Sequence, residues 1–173
     1  MMIKFLCACL LLMSLSCKKT NQTDTENNDV ANKSQVITEK DISKLNYLDF
    51  GIDDRTLAII EPWQEFNQLQ RIIENTKKGD LSYFKIDAKK NIKTLLSDIK
   101  NTIPEALNTP SIIARLTVVE TTLYKTESLS NLSTTKKQDL LDTVKELLVS
   151  FSNLCFQLNK KLENDSQPIE RPF

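Results

Sequence analysis

The sequence predicts an all-α protein, an antiparallel bundle of about four helices behind a polar N-terminal segment. Three observations lead there. Four stretches between Ile59 and Leu162 repeat apolar residues at spacings of three and four, the period of one helix face. No stretch shows a comparable two-residue alternation. Only 2 glycines occur in 173 residues, too few for a turn-rich β fold.

Residues 1–16 form a leader. Lys4 is followed by an apolar run from Phe5 through Leu15, and Ser14-Leu15-Ser16-Cys17 brings small residues up to a cysteine. The run is about a dozen residues, against roughly 20 for a membrane-spanning helix. A polar tract follows it, which argues against a helix of the core. The layout resembles the lipobox of bacterial lipoproteins, with Ser14 where that motif usually has Leu. The resemblance implies that a diacylglycerol joins the Cys17 thiol and that cleavage leaves Cys17 as the lipidated N-terminus; a signal cleaved without lipidation is the alternative. Cys7 and Cys9 then leave with the leader, and Cys155 remains as a single thiol within a helical stripe. It is expected to be a small buried hydrophobe, with an intermolecular disulfide or a catalytic thiol as the alternatives.

Residues 17–40 are the expected tether. Lys18 to Glu39 are rich in Asn, Thr, Asp and Lys, lack aromatics and cannot bury enough surface to offset the entropy of ordering. As a coil of roughly 22 residues they would hold the folded part on the order of 25 Å from a lipid.

The bundle domain is expected over residues 41–163. Asp41 to Phe50 is too apolar for a linker and predicts a short helical turn against the body. Asp53 or Asp54 suits the N-cap of the next helix, whose stripe is Ile59, Trp63, Phe66, Leu69 and Ile73. Pro62 lies inside that stripe, so the helix either kinks or starts near Glu61 after a separate turn at 56–60. Lys77-Lys78-Gly79 ends it. A second helix carries Phe84, Ala88, Ile92, Leu95, Leu96, Ile99 and Ile103, with Asp80 or Ser82 as cap and Pro104 as stop. The third has Thr109 as N-cap and Pro110 in the first turn, before Ile112, Leu116, Val119 and Leu123. The fourth begins after Ser133 and repeats Leu141, Val144, Leu148, Phe151, Cys155, Leu158 and Leu162. That spacing suits a coiled-coil dimer, but Leu140, Leu147 and Leu154 widen the stripe for a helix packed between two neighbours. An irregular tail is expected over residues 164–173.

Chemistry is limited by what is missing. There is no histidine, hence no usual general base and none of the common zinc or copper sites. Gly51 and Gly79 stand alone, so no phosphate loop exists. Asp53-Asp54 lacks the alternating ligands of a calcium loop. We expect no enzyme, no cofactor and no metal. Basic and acidic residues balance at 23 each, which gives no field to attract nucleic acid.

Two residues are candidates for ligand or partner contact. Arg115 sits among apolar residues of the third helix; it either lies along the bundle edge and pairs with a carboxylate of another helix, leaving Glu120 in water, or anchors an anionic group. Trp63 is a staple between helices or an interface anchor. Asp142-Thr143-Val144 resembles the O-glycosylation acceptor pattern of the Bacteroidota.

The leader, the Asn/Lys/Thr-rich tether, Trp63-Gln64-Glu65-Phe66, Asp80-Leu81-Ser82-Tyr83-Phe84 and Thr109-Pro110-Ser111-Ile112-Ile113-Ala114-Arg115-Leu116 together resemble a small helical lipoprotein of flavobacterial type. The resemblance implies a cell-envelope protein held to the membrane by its lipid, and it assigns no activity to any residue. Lys18, rather than aspartate, after the cysteine implies outer-membrane attachment, and the lack of acidic residues there favours the periplasmic face. A scaffold or accessory bundle that binds an unknown protein is the function expected. The alternative is a module holding a small or extended ligand between its helices.

Overall fold

The computed structural model describes residues 36–85 and 87–167; the expected leader, Cys17, most of the expected tether and residues 168–173 lie outside them. The described chain forms an all-α bundle. It contains α1 (Glu39–Ile42), α2 (Asp54–Ile60), α3 (Gln64–Lys77), a 3-10 turn (Ser82–Phe84), α4 (Ala88–Asn101), a second 3-10 turn (Glu105–Leu107), α5 (Pro110–Asn131) and α6 (Lys137–Asp165). No strand occurs among the described residues, and none of these helices is long and apolar enough to cross a membrane.

The four long helices pack in cyclic order α3, α4, α5, α6, with α6 returning to α3. Each runs opposite to its neighbour. Trp63 at the start of α3 reaches Thr102 at the end of α4, and Asn131 at the end of α5 donates to the Phe84 carbonyl before α4. Lys125 of α5 pairs with Glu146 of α6 at 2.6 Å. Phe66 of α3 stacks on Phe151 of α6, with ring centroids 6.0 Å apart. Phe66, Leu69, Ile73, Ile92, Leu96, Ile99, Ile112, Leu116 and Leu123 are fully buried, so the apolar stripes meet in one core. Between α5 and α6 the buried hydroxyls of Thr122 and Ser150 are 2.8 Å apart and also reach the Val119 and Leu147 carbonyls of their own helices.

Caps follow the sequence where they are local. Thr109 accepts from the Ile112 amide and Pro110 opens α5. Asp53 caps α2 by accepting from the Thr56 amide at 2.7 Å, which holds its carboxyl below the usual range. Gly79 has φ +82°, and a Cβ there would lie 2.9 Å from main-chain atoms of Thr38 and Glu39. Only glycine lets the start of α1 sit on the end of α3.

Several boundaries differ from those the sequence predicts. At Pro62 the separate-turn alternative holds: α2 ends at Ile60 and α3 begins at Gln64, because proline supplies no amide and disfavours helix in the residue before it. Ile60 is thereby fully buried, while Ile59 is half-buried. The second long helix starts at Ala88, not near Ser82, because Asp87 turns left-handed at φ 58° and interrupts the chain. Phe84 stays buried in the 3-10 turn, which Asp80 closes by accepting from the Ser82 amide. Ordered packing starts before residue 41: Ile37 is 5% exposed, and Thr38 and Asp41 form a reciprocal capping box. Helix α6 runs on through Asp165. Of the helical turn expected over residues 41–50 only the start forms, as the end of α1; residues 43–53 run on as an irregular strap.

Candidate functional site

The strap lies along α6. From Asn46 to Phe50 and from Gly51 to Asp53 its main chain has no helical ladder, and its polar groups find partners on α6 side chains instead. The Ser152 hydroxyl donates to the Leu48 carbonyl at 2.7 Å and accepts from the Phe50 amide at 2.8 Å. The Asn159 side-chain amide donates to the Gly51 carbonyl at 2.8 Å, and its oxygen accepts from the Asp53 amide at 3.2 Å. Each side chain therefore holds one carbonyl and one amide of the strap. These contacts read main chain alone.

The two spacings match. Ser152 and Asn159 stand two helical turns apart, about 10.5 Å. The strap positions they grip are three residues apart, about 10 Å of extended chain. Agreement between these lengths keeps the strap close to fully extended along the helix.

Ion pairs hold the chain just before the strap and at its middle. Asp41 meets Lys137 at the start of α6 at 2.8 Å, and Asp49 meets Lys77 of α3 at 2.9 Å. The Lys137 contact, with the Thr38 hydroxyl and amide, holds the Asp41 carboxyl well below the usual range. Burial pulls the Lys77 ammonium down, but Asp49 and Glu74 outweigh it and raise its pKa. Leu45, Tyr47 and Ile52 are half-buried against the core. Leu48 is 75% exposed, and Phe50 at 37% packs its ring 4.8 Å from that of Phe156, itself 39% exposed. These three side chains give the strap face an apolar surface.

Cys155 belongs to the same row of α6, three residues after Ser152 and four before Asn159. It is 2% exposed, and burial, with the nearby Asp49 charge adding to it, pushes its thiol up to about 12. Such a thiol is an inert core group at neutral pH.

The residues expected from sequence fall elsewhere. Trp63 is 3% exposed, stacks on Phe66 at 5.0 Å and donates from Nε1 to the Thr102 hydroxyl at 3.1 Å, tying α3 to α4. An open groove of about 400 Å3 adjoins it, bordered by Pro62, Glu65 and Pro104. Arg115 is exposed on the outer face of α5 and meets no carboxylate among the described residues. The expected pairing is reversed: Glu120 is the group engaged, with Lys100 at 2.6 Å, because the register of α4 on α5 brings those two together. Trp63 and Arg115 share one end of the bundle without touching. Cys17 lies outside the described residues. Thr143 is 2% exposed and its hydroxyl donates to the Asp139 carbonyl, so the fold withdraws it from modification.

Sequence reasoning missed Ser152 and Asn159. Ser152 is 1% exposed, but Thr143 and Ser150 are also buried polar residues of α6, so a small hydroxyl on this helix did not single out the clamp. Among the described residues no group of Cys, Asp and Glu is arranged to hold a metal ion.

Fold and site define an all-helical bundle with an N-terminal strap clamped on its longest helix. Protein-family models, curated proteins and solved structures contain no match to this chain.

Proposed function

We propose that this protein is a lipid-anchored bundle of the bacterial cell envelope, attached through Cys17 at the periplasmic face of the outer membrane, and that it works by binding protein as a scaffold or accessory subunit. The leader and the polar segment behind it support the anchor. The observation that carries the binding role is the surface formed by Leu48, Phe50 and Phe156, three large apolar side chains left in solvent around one aromatic contact. A ligand held between the helices would need an enclosed space, whereas the grooves beside Trp63, along α3 and below α1 all open to solvent. The absence of histidine and of any phosphate loop from the sequence supports a non-enzymatic role.

Crosslinking of the full-length chain in its own cells, followed by recovery and mass spectrometry, tests this role. A discrete protein adduct that Phe156→Asp weakens is expected. An adduct indifferent to Phe156→Asp, or no adduct, contradicts it. For the anchor, Cys17→Ala should move the chain from the membrane pellet to the soluble fraction; retention in the pellet with normal leader processing refutes lipidation.

A further inference from the structure

We propose that the Ser152–Asn159 face of α6 is a peptide-binding groove, filled in cis by the strap and able to take the strap of a second copy of this chain. This deepens the protein-binding role proposed above and rests on it for its biological use.

The groove has the parts of a built peptide site. Two side chains, one 1% exposed and both on a rigid helix, each satisfy a carbonyl and an amide of the segment that lies on them. Their spacing selects a nearly extended chain. Because the clamps touch main chain only, side-chain selection is left to the neighbours of the strap: Lys77 takes an acidic residue at position 49, and Phe156 takes an aromatic one at position 50. The sequence that satisfies all of these is on view, and every copy carries it.

The strap is also the segment most easily released. It has no helical ladder of its own, and Leu45, Tyr47, Leu48, Phe50 and Ile52 are all half-buried or exposed, whereas each of α3 to α6 has a stripe of buried side chains. The Asp53 carboxylate caps α2 through the Thr56 amide, a contact local to residues 53–56 that does not use the clamps, so α2 keeps its start when the strap leaves. In one molecule the cis strap competes at a millimolar effective concentration, which suppresses exchange in dilute solution. Two copies confined to one membrane surface meet at far higher local concentration, and exchange costs no contact because each strap trades one groove for an identical one.

Cys155, on the clamp row, reports whether the groove is filled. The full chain carrying Asp49→Asn and Phe50→Ala retains both clamps and every fully buried side chain. Its thiol should label with a maleimide about tenfold faster than that of the wild type. A synthetic peptide of residues 44–54 at millimolar concentration should bring the rate back, and should fail once Ser152→Ala and Asn159→Ala are added. Equal labelling of variant and wild type, or faster labelling that the peptide does not slow, overturns the groove. Far-UV circular dichroism is checked first, and Phe50→Ala alone replaces the double variant if helix is lost.

Exchange between chains is read by sedimentation. The weakened-strap chain is mixed with a full chain carrying Ser152→Ala and Asn159→Ala, whose strap is intact. A heterodimer that neither chain forms alone is expected; monomers throughout overturn exchange between copies. If strap and groove fail these tests while an adduct is recovered from cells, the groove is removed and protein binding stands. If they pass and no adduct is found, the groove stands and the envelope role falls.

Discussion

Replacing Ser152 with alanine isolates one clamp. The hydroxyl makes two contacts to the strap, with the Leu48 carbonyl at 2.7 Å and the Phe50 amide at 2.8 Å, and alanine deletes both without adding volume. A net value of about 1 kcal/mol for each gives about 2 kcal/mol lost from the closed strap. The loss falls on local opening, since Ser152 supports no contact between the long helices. An opening free energy lower by about 2 kcal/mol means roughly 30-fold faster exchange of amides that exchange through that opening. Hydrogen–deuterium exchange resolved to single residues reads this directly. The Phe50 amide should lose about 30-fold in protection, while Leu116, Val119 and Leu147 in the core change by less than about threefold. Unchanged protection at Phe50 would show that the clamp holds nothing. A uniform loss across α3 to α6 would show that the strap opens only with the whole bundle, and either result refutes a separately releasable strap.

Other substitutions probe the bundle. Phe66→Ala removes a fully buried ring that stacks on both Trp63 and Phe151, and should cost about 3–5 kcal/mol in urea unfolding, against less than about 1 kcal/mol for the exposed Arg115→Ala. Gly79→Ala places a Cβ 2.9 Å from the main chain of Thr38 and Glu39 at a left-handed φ, and should cost at least about 1–2 kcal/mol; a neutral result would mean that α1 does not sit there. Acid should release α1. The Asp41 carboxyl lies below its ordinary value of 3.8 in the fold because Lys137 and Thr38 bond it, so its contribution is complete above that value and fades as pH falls below it. Protection of α1 amides should therefore decline on acidification below about pH 4, and Asp41→Asn should flatten that decline; an unchanged profile in the variant contradicts the pairing.

Local features of this fold were legible in the sequence, and non-local ones were not. Thr109-Pro110 marks the start of α5 and Gly79 the end of α3, because cap chemistry depends on neighbours in the chain. The apolar stripes of α3 to α6 found their core positions for the same reason. Pro62 left two outcomes open, since either a kink or a break satisfies its missing amide, and packing of Ile60 and Trp63 selects the break. Phe84 and Ala88, spaced by four, disguised the interruption at Asp87, because both are buried and so continue the apolar stripe across it. The partner of Glu120 required the register of α4 on α5. Ser152 and Asn159 were invisible as clamps because their partners lie about a hundred residues away. An apolar segment without helical period, such as Asn46 to Ile52, does not announce the surface it will cover.

A photo-crosslinking residue placed at position 156 or at position 115 of the full-length chain, in its own cells, decides whether the strap face is the face that meets protein. Phe156 and Arg115 are both exposed, on α6 and α5 respectively, so accessibility alone favours neither. The strap-face model predicts a discrete protein adduct from position 156, of twice the mass of the chain where straps exchange, and none from position 115. An adduct from position 115 alone, or from neither position, would contradict it.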